Sequence, residues 1–188
     1  ELSGPLVSML LINHYKKKKI TFSIRFIFIP ETIGSITYLS KNLNHLKKNM
    51  IAGFNLTCIG DERKYGCMLS KYKNSISDKA LLETYKKLNI KFKEYPFIEN
   101  GSDERQFNYP GIDLPVASIF RSKYGTYPEY HTSLDNFDLV TEKGLTQSLK
   151  FVKALIDNIQ KKIIPQNLIL CEPQMSKRGL YPTLSNLK

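Results

Sequence analysis

Hydrophobic positions along the chain alternate between two spacings. Apolar residues recur every three or four positions in some segments, whereas others are shorter runs rich in β-branched and aromatic residues. The first spacing predicts amphipathic helices and the second predicts buried strands. The predicted helices are Leu2–Tyr15, Thr32–Lys48, Asp78–Leu88 and Thr141–Lys161, and the predicted strands are Ile20–Ile29, Met50–Ile59, Gly66–Ser70, Lys91–Phe97 and Leu114–Arg121.

This order of elements predicts the fold class. Helices that alternate with buried strands build a three-layer α/β domain around a central sheet that is mostly parallel or mixed. The nearly continuous apolar run Ile20–Ile29 is expected at a central position of that sheet. Ligands of such sheets bind beyond the carboxyl ends of the strands. Polar candidates at predicted strand ends are Glu31, Asp61, Asp103 and His131.

The stretch Tyr130-His131-Thr-Ser-Leu-Asp135 carries the strongest local signal for chemistry. His131 is one of three histidines, and Pro128 and the Thr-Ser-x-Asp run predict a loop that opens into a helix. A neutral imidazole is the commonest metal ligand and general base, and a nearby carboxylate often fixes its tautomer. The alternative is a surface histidine that caps the following helix. Asp61, which follows a glycine at a strand end, is expected to be a turn residue, with a relocated metal ligand as the alternative.

Composition excludes several classes of protein. The net charge of +11 invites a nucleic-acid interpretation, but the lysine runs stand mostly where predicted helices end, and no nucleic-acid signature is present. Cys58, Cys67 and Cys171 form no CxxC pair, which favours a reducing, cytoplasmic setting over a disulfide framework. No apolar run approaches the ~20 residues of a membrane span. The chain begins without a signal peptide or an initiator Met, so a fragment is expected.

Four blocks of sequence resemble, in order, motifs of the co-catalytic zinc exopeptidases, the zinc aminopeptidase superfamily. Phe28–Ser35 resembles their Glu-Glu-x-Gly segment, and Gly101–Glu104 with Pro110–Pro115 resembles Ser-Asp-His…Gly-x-Pro. Tyr130–Asp135 resembles the final His-Thr-x-x-Asp, whose His is a metal ligand. Glu1–Gly4 resembles the tail of a motif whose metal-bridging Asp would stand just before Glu1. The blocks are most similar to those of bacterial proteins with an aminopeptidase-like domain.

This resemblance implies a domain organisation. Residues 1–165 are expected to be the carboxyl-terminal part of an aminopeptidase-like zinc peptidase domain. Residues 166–188 are expected to form a tail towards a winged-helix-like domain that this sequence does not contain.

Two departures from the family pattern change the expected metal content. Thr32 stands where the family has a second Glu, and Thr57 stands where it has a ligand Asp. A neutral hydroxyl is a poor substitute for a carboxylate on zinc. The resemblance therefore implies one zinc ion in the complete protein, held by His131 and two ligands upstream of Glu1. Residues 1–188 alone are then expected to have an incomplete site and to be inactive.

The resemblance also assigns roles to single residues. Glu31 is expected to be the general base, although it also suits the first turn of a helix. Asp103 is expected to accept a substrate ammonium or to bond His131, or else to be a turn residue. Arg105 is expected to clamp a substrate carboxylate, and Asp135 to orient the loop of His131 or cap a helix.

The expected function is hydrolysis of an amide bond near a free amino terminus, by a single-zinc aminopeptidase-like enzyme. Its substrate would be a small peptide or an amide-containing metabolite, with no membrane or nucleic-acid partner. One alternative is a catalytically degenerate binding or regulatory module, which the loss of two ligand positions supports. Another is amide chemistry on a small metabolite or sugar in surface-polysaccharide metabolism.

Overall fold

The computed structural model describes residues 2–99, 101–161 and 174–181. The four predicted helices and four of the predicted strands are confirmed, but the strands are shorter because their flanking apolar residues pack without joining the ladder. The elements are α1 (Ser3–Tyr15), α2 (Ile33–Asn49), β1 (Gly53–Leu56), β2 (Gly66–Met68), α3 (Ile76–Lys87), β3 (Lys93–Tyr95), α4 (Glu104–Phe107), β4 (Val116–Phe120) and α5 (Glu142–Gln160), with 3-10 turns at Phe97–Glu99 and Met175–Arg178.

The sheet has four strands in the order β1-β4-β2-β3 and is mixed. β1 runs parallel to β4, with Gly53 opposite Val116, and β2 runs parallel to β3. β2 and β4 are antiparallel, with Cys67 opposite Ile119. The carboxyl ends of β1 and β4 therefore share one edge of the sheet, and the loops that follow these two strands meet there.

The prediction of a central strand at Ile20–Ile29 is wrong. Within the described part of the chain, these residues belong to no strand. Their burial alternates, since Ile20, Phe22, Ile24 and Phe26 pack against the main core while the residues between them are exposed. Alternating hydrophobicity explains this packing, but a strand also requires a neighbour that pairs with its backbone groups.

The helices cover both faces of the sheet, which confirms the three-layer α/β prediction. Successive residues of β4 point to opposite faces, as strand geometry requires. Ala117 and Ile119 pack into a core with α1, α3 and α5, whereas Val116 packs into a second core with α2 and α4. The helix residues of the first core include Val7, Leu11, Leu81, Tyr85, Phe151 and Leu155, and those of the second are Leu39, Leu46 and Phe107.

Close backbone approaches at glycines hold α1 and α5 against the end of β1. A Cβ atom on Gly4 would collide with the carbonyl of Leu56, and one on Gly144 would collide with the carbonyl of Gly60. Thr141 caps α5 by accepting a hydrogen bond from the Gly144 N–H at 2.9 Å. The loop after β1 is consequently enclosed by two helices, which fixes its conformation at the edge where β1 and β4 end.

The first core predicts the stability effect of a single truncation. Leu155 on α5 is fully buried, so Leu155→Ala should lower the free energy of unfolding by about 2–5 kcal/mol, because the cavity adds to the lost burial. Urea titration followed by circular dichroism measures this change. The matched control is Leu2→Ala at a side chain that is 73% exposed, where the change should be much smaller. Equal losses for both variants would contradict this placement of the core.

Candidate functional site

Glu31 is exposed and lies in the turn that leads into α2. The next residue, Thr32, has φ 61° and ψ −66°, which is unusual for a β-branched residue and strains the backbone. The Thr32 N–H and the Ser35 hydroxyl both donate to Oδ1 of Asp103, at 2.8 and 2.5 Å. Asp103 therefore holds the strained turn in place and determines where the Glu31 carboxylate stands.

Asp103 thus joins two of the sequence motifs through a contact that the sequence did not indicate. The expectation paired it with a substrate ammonium or with His131. In the structure, one of its carboxylate oxygens is occupied by the turn that carries Glu31. The predicted contact of Asp103 with substrate stays a prediction.

Glu104, the neighbour of Asp103, is 1% exposed and surrounded by hydrogen-bond donors. Sequence reasoning missed this residue, although it stands inside the Gly-Ser-Asp-Glu motif. Its Oε1 accepts hydrogen bonds from the N–H groups of Gly101 and Ser102, both at 3.2 Å, and from the Tyr124 hydroxyl at 2.7 Å. Its Oε2 accepts hydrogen bonds from Asn55 Nδ2 at 3.1 Å and from the Ser118 hydroxyl at 3.0 Å.

His131 is exposed in the loop that follows β4 and has a positive φ of 57°. Its ring stacks on Tyr130, with the ring centroids 4.0 Å apart and the planes 16° from parallel. Tyr130 in turn packs against a buried cluster of Met68, Phe120 and Tyr124. Aromatic packing therefore fixes the base of the loop while the imidazole stays at the surface.

Asp135 lines a small cleft at the end of β1 with Cys58 and Tyr127. The Tyr127 hydroxyl lies 3.2 Å from Sγ of Cys58, to which it donates a hydrogen bond. Burial and then this hydrogen bond raise the pKa of Tyr127 well above its usual value, and the charge of Asp135 adds a smaller effect. Tyr127 is therefore a protonated donor in this cleft at neutral pH.

Asp61 at the same edge is a turn residue, as predicted. It is 6% exposed, and its Oδ1 accepts a hydrogen bond from the Arg63 N–H at 2.8 Å. Its Oδ2 accepts a bond from the Ser122 N–H at 2.9 Å. Asp61 consequently ties the loop after β1 to the loop after β4.

The remaining predicted positions are placed without being brought into one cluster. Arg105 lies on α4 with an exposed side chain, so its role as a carboxylate clamp stays a prediction. Thr57 follows β1, and its hydroxyl points towards Sγ of Cys58 at 3.7 Å. Of the tail predicted at 166–188, only 174–181 lie within the described residues, so this domain boundary also stays a prediction.

The donor set of the described residues does not by itself fit a zinc ion. Across residues 2–99, 101–161 and 174–181, no three His, Cys, Asp or Glu side chains gather in a geometry that holds a metal. His131 is the single predicted ligand in these ranges. None of the helices described in the structure has the length and apolar composition needed to cross a membrane.

Comparison with known proteins identifies the class of this fold. The chain has the same fold as solved zinc aminopeptidases. Residues 1–162 match the family described as a domain of unknown function (DUF4910), and the chain belongs to this family. A Clostridium acetobutylicum protein whose name combines polysaccharide biosynthesis with an aminopeptidase-like domain is 40% identical over 181 residues, which are 96% of this chain and 41% of that protein.

Solved structures show the same architecture. A candidate peptidase from Clostridium acetobutylicum has a TM-score of 0.83 and 39% identity, over 95% of this chain and 42% of that one. The zinc aminopeptidase BSAP from Bacillus subtilis has a TM-score of 0.65 and 22% identity, over 86% of this chain and 41% of that one. The second likeness concerns the fold alone. The chain spans about two fifths of the length of these relatives.

The contact between Asp103 and the Glu31 turn predicts a local loss of stability. Asp103→Ala leaves the Thr32 N–H and the Ser35 hydroxyl without their acceptor, so the free energy of unfolding should fall by about 1–3 kcal/mol. Thermal and urea denaturation measure the change. Asp138→Ala is the control, because Asp138 is an exposed loop residue. A neutral effect of Asp103→Ala would show that the turn does not depend on this carboxylate.

Proposed function

We propose that this chain forms part of an aminopeptidase-like metallohydrolase that cleaves an amide bond next to a free amino group. One observation carries the proposal: Asp103 bonds the turn of Glu31 and so joins two separate sequence motifs at 2.8 and 2.5 Å. The aminopeptidase-like domain in the name of the Clostridium acetobutylicum relative and the likeness of the chain to solved peptidase and aminopeptidase folds support the same function.

In the proposed mechanism, Glu31 is the general base. Its carboxylate is exposed and available to accept a proton from the attacking water, and Asp103 keeps the turn in position. His131 offers one ring nitrogen from the loop after β4 as a metal ligand. When bound, a zinc ion supplies Lewis-acid activation of water and of a carbonyl group.

We further propose one zinc ion rather than two, with the remaining ligands supplied from outside residues 1–188. Thr32 and Thr57 offer hydroxyl groups where a second ion would need carboxylates, and the Thr57 hydroxyl is directed at Cys58. His131 is the single predicted metal ligand among the described residues, and no metal-holding cluster forms around it there. This is consistent with a site completed by another part of the protein.

The proposed substrate is a small peptide or an amide-containing metabolite in the cytoplasm. Arg105 is exposed on α4, immediately after the Asp103 and Glu104 pair, where a guanidinium can bind a substrate carboxylate in a bidentate manner. The name of the Clostridium acetobutylicum relative includes polysaccharide biosynthesis, which keeps a modified sugar within the proposed substrate range.

A second candidate is a non-hydrolytic binding or regulatory module. The observation that favours it is the pair of hydroxyl residues, Thr32 and Thr57, at positions where the family pattern has carboxylates. Such a module would keep the fold while binding no catalytic metal. Metal content and turnover of the complete protein separate the two candidates.

Metal content gives the first test of the proposed enzyme. The complete protein should contain about one zinc ion per chain, and His131→Ala should reduce it strongly, because the variant removes a ligand. Elemental analysis after dialysis measures the ratio. His45→Ala is the matched control, since His45 is an exposed histidine on α2 bonded to Arg25. Two zinc ions per chain, or a full zinc content in His131→Ala, would contradict the proposed ligand set.

Turnover gives the second test. Glu31→Gln keeps the shape of the side chain without its basicity, so it should preserve folding and zinc while lowering kcat by about 10²–10⁴-fold. Hydrolysis of a panel of aminoacyl 4-nitroanilides measures this loss. Glu142→Gln, at an exposed acid in the first turn of α5, controls for a mere helix-dipole effect. Unchanged zinc-dependent turnover in Glu31→Gln would place the base elsewhere, and absence of zinc and turnover in the unmodified protein would favour the binding module.

A further inference from the structure

We propose that Glu104 is the positioning residue of this site, and that its buried carboxylate holds the Glu31 turn and the His131 loop in one arrangement. The catalytic consequence rests on the proposed function, whereas the positioning itself is a property of the fold. Glu104 does not act on substrate in this proposal. It acts through Asp103 on one side and through Tyr124 on the other.

The surroundings of Glu104 fit an ionised carboxylate. All five of its hydrogen-bond partners are donors, from two backbone N–H groups, one amide and two hydroxyls. A carboxylate that is 1% exposed must have its oxygens satisfied, because an unpaired buried charge is very costly. None of the ion pairs described in the structure includes Glu104, so neutral donors stabilise its charge. The segments that carry these donors are therefore held around the Glu104 carboxylate.

One set of hydrogen bonds connects Glu104 to the turn of Glu31. Oε1 of Glu104 binds the N–H groups of Gly101 and Ser102, which fixes the backbone immediately before Asp103. Asp103 then accepts hydrogen bonds from Thr32 and Ser35 in the turn of Glu31. A displacement of the 101–103 loop would consequently move the proposed base.

A second set of contacts connects Glu104 to His131 through aromatic packing. The Tyr124 hydroxyl donates to Glu104 at 2.7 Å and accepts a bond from the Gly101 N–H at 2.8 Å. The Tyr124 ring packs edge-on to Phe120, and Tyr130 packs against the same cluster. His131 stacks on Tyr130. Burial and then the Glu104 hydrogen bond raise the pKa of Tyr124 well above its usual value, so its hydroxyl keeps the proton that it donates.

A third set of bonds anchors Glu104 to the sheet. Asn55 on β1 and Ser118 on β4 both donate to Oε2, at 3.1 and 3.0 Å. Asn55 pairs with Ser118 in the parallel register of these strands. The carboxylate is thereby fixed to β1 and β4, the two strands whose carboxyl ends lie at the edge of the candidate site. The contacts that lead to Glu31 and to His131 therefore both begin at a side chain held by the sheet.

Glu104→Gln tests the proposal because the amide has the same shape but brings an NH2 group against donors. In the complete protein, this variant should keep its fold and zinc while losing about 10–100-fold in kcat on aminoacyl 4-nitroanilides, with little change in KM. Hydrogen exchange should become faster at the Thr32, Gly101 and Ser102 amides. Glu99→Gln, at a nearby exposed acid, is the control and should change neither quantity.

The variant Tyr124→Phe is a second test of the positioning role of Glu104. It removes one of the five donors to Glu104 and the nearer of the two acceptors of the Gly101 N–H, so it should accelerate exchange at Gly101 and Thr32 even if Glu104→Gln fails to fold. Because Glu104 and Tyr124 are in contact, the effects of the two changes on kcat should not be additive in the double variant.

The outcomes separate this proposal from the proposed function. Wild-type exchange at Thr32 in both variants would overturn the positioning role, whatever the activity of the protein. A wild-type kcat in Glu104→Gln would overturn its catalytic consequence. An unmodified protein without any hydrolytic activity would refute the proposed function, yet faster exchange in the variants would still support Glu104 as the residue that positions the two loops.

Discussion

The buried carboxylate of Glu104 is the constraint on which the geometry of this edge depends. A charge that is 1% exposed and has no cationic partner among the described ion pairs needs donors on every side, and here they come from β1, β4 and two loops. Each donor has a fixed acceptor, and the donors replace the hydrogen bonds to water that the carboxylate lost on burial. The loop at 101–103 and the loop that carries Tyr124 are thereby brought to one place.

Such a rigid centre explains how the surrounding backbone tolerates strain. Among the described residues, six other than glycine have a positive φ, and Thr32, Cys58 and His131 belong to the edge formed by β1, β4 and the start of α2. Conformations of this kind cost about 1–3 kcal/mol each and persist where neighbouring contacts determine them. Asp103 supplies those contacts for Thr32, and the stack on Tyr130 supplies them for His131. Two of these three edge residues, Thr32 and His131, stand in the motifs that the sequence singled out.

Sequence patterns predicted the elements of this fold better than the contacts between them. The periodicity of α5 follows from which of its side chains are buried, and β4 is a short run that is buried at every residue, so both elements could be predicted. Ile20–Ile29 has the same apolar signal, but whether such a run becomes a strand depends on a pairing partner that no local pattern reveals. The bonds of Glu104 to Asn55 and Tyr124 span 49 and 20 residues, so they could not be inferred from spacing. The motif indicated the loop but not which of its two carboxylates is buried.

Under the proposed function, the hydroxyl residues at 32 and 57 change the electrostatics of the edge rather than only its ligand count. Each replaces a carboxylate of the family pattern, so the edge has two fewer negative charges with which to offset divalent cations. Opposite charges nearby are what keep two adjacent metal ions bound, and a hydroxyl does not supply them. The Glu31 carboxylate is placed by the bond that its neighbour Thr32 donates to Asp103, and its proposed role as general base does not depend on a second metal ion. A site with one metal ion and a general base is thus the arrangement that these residues support under the proposed function.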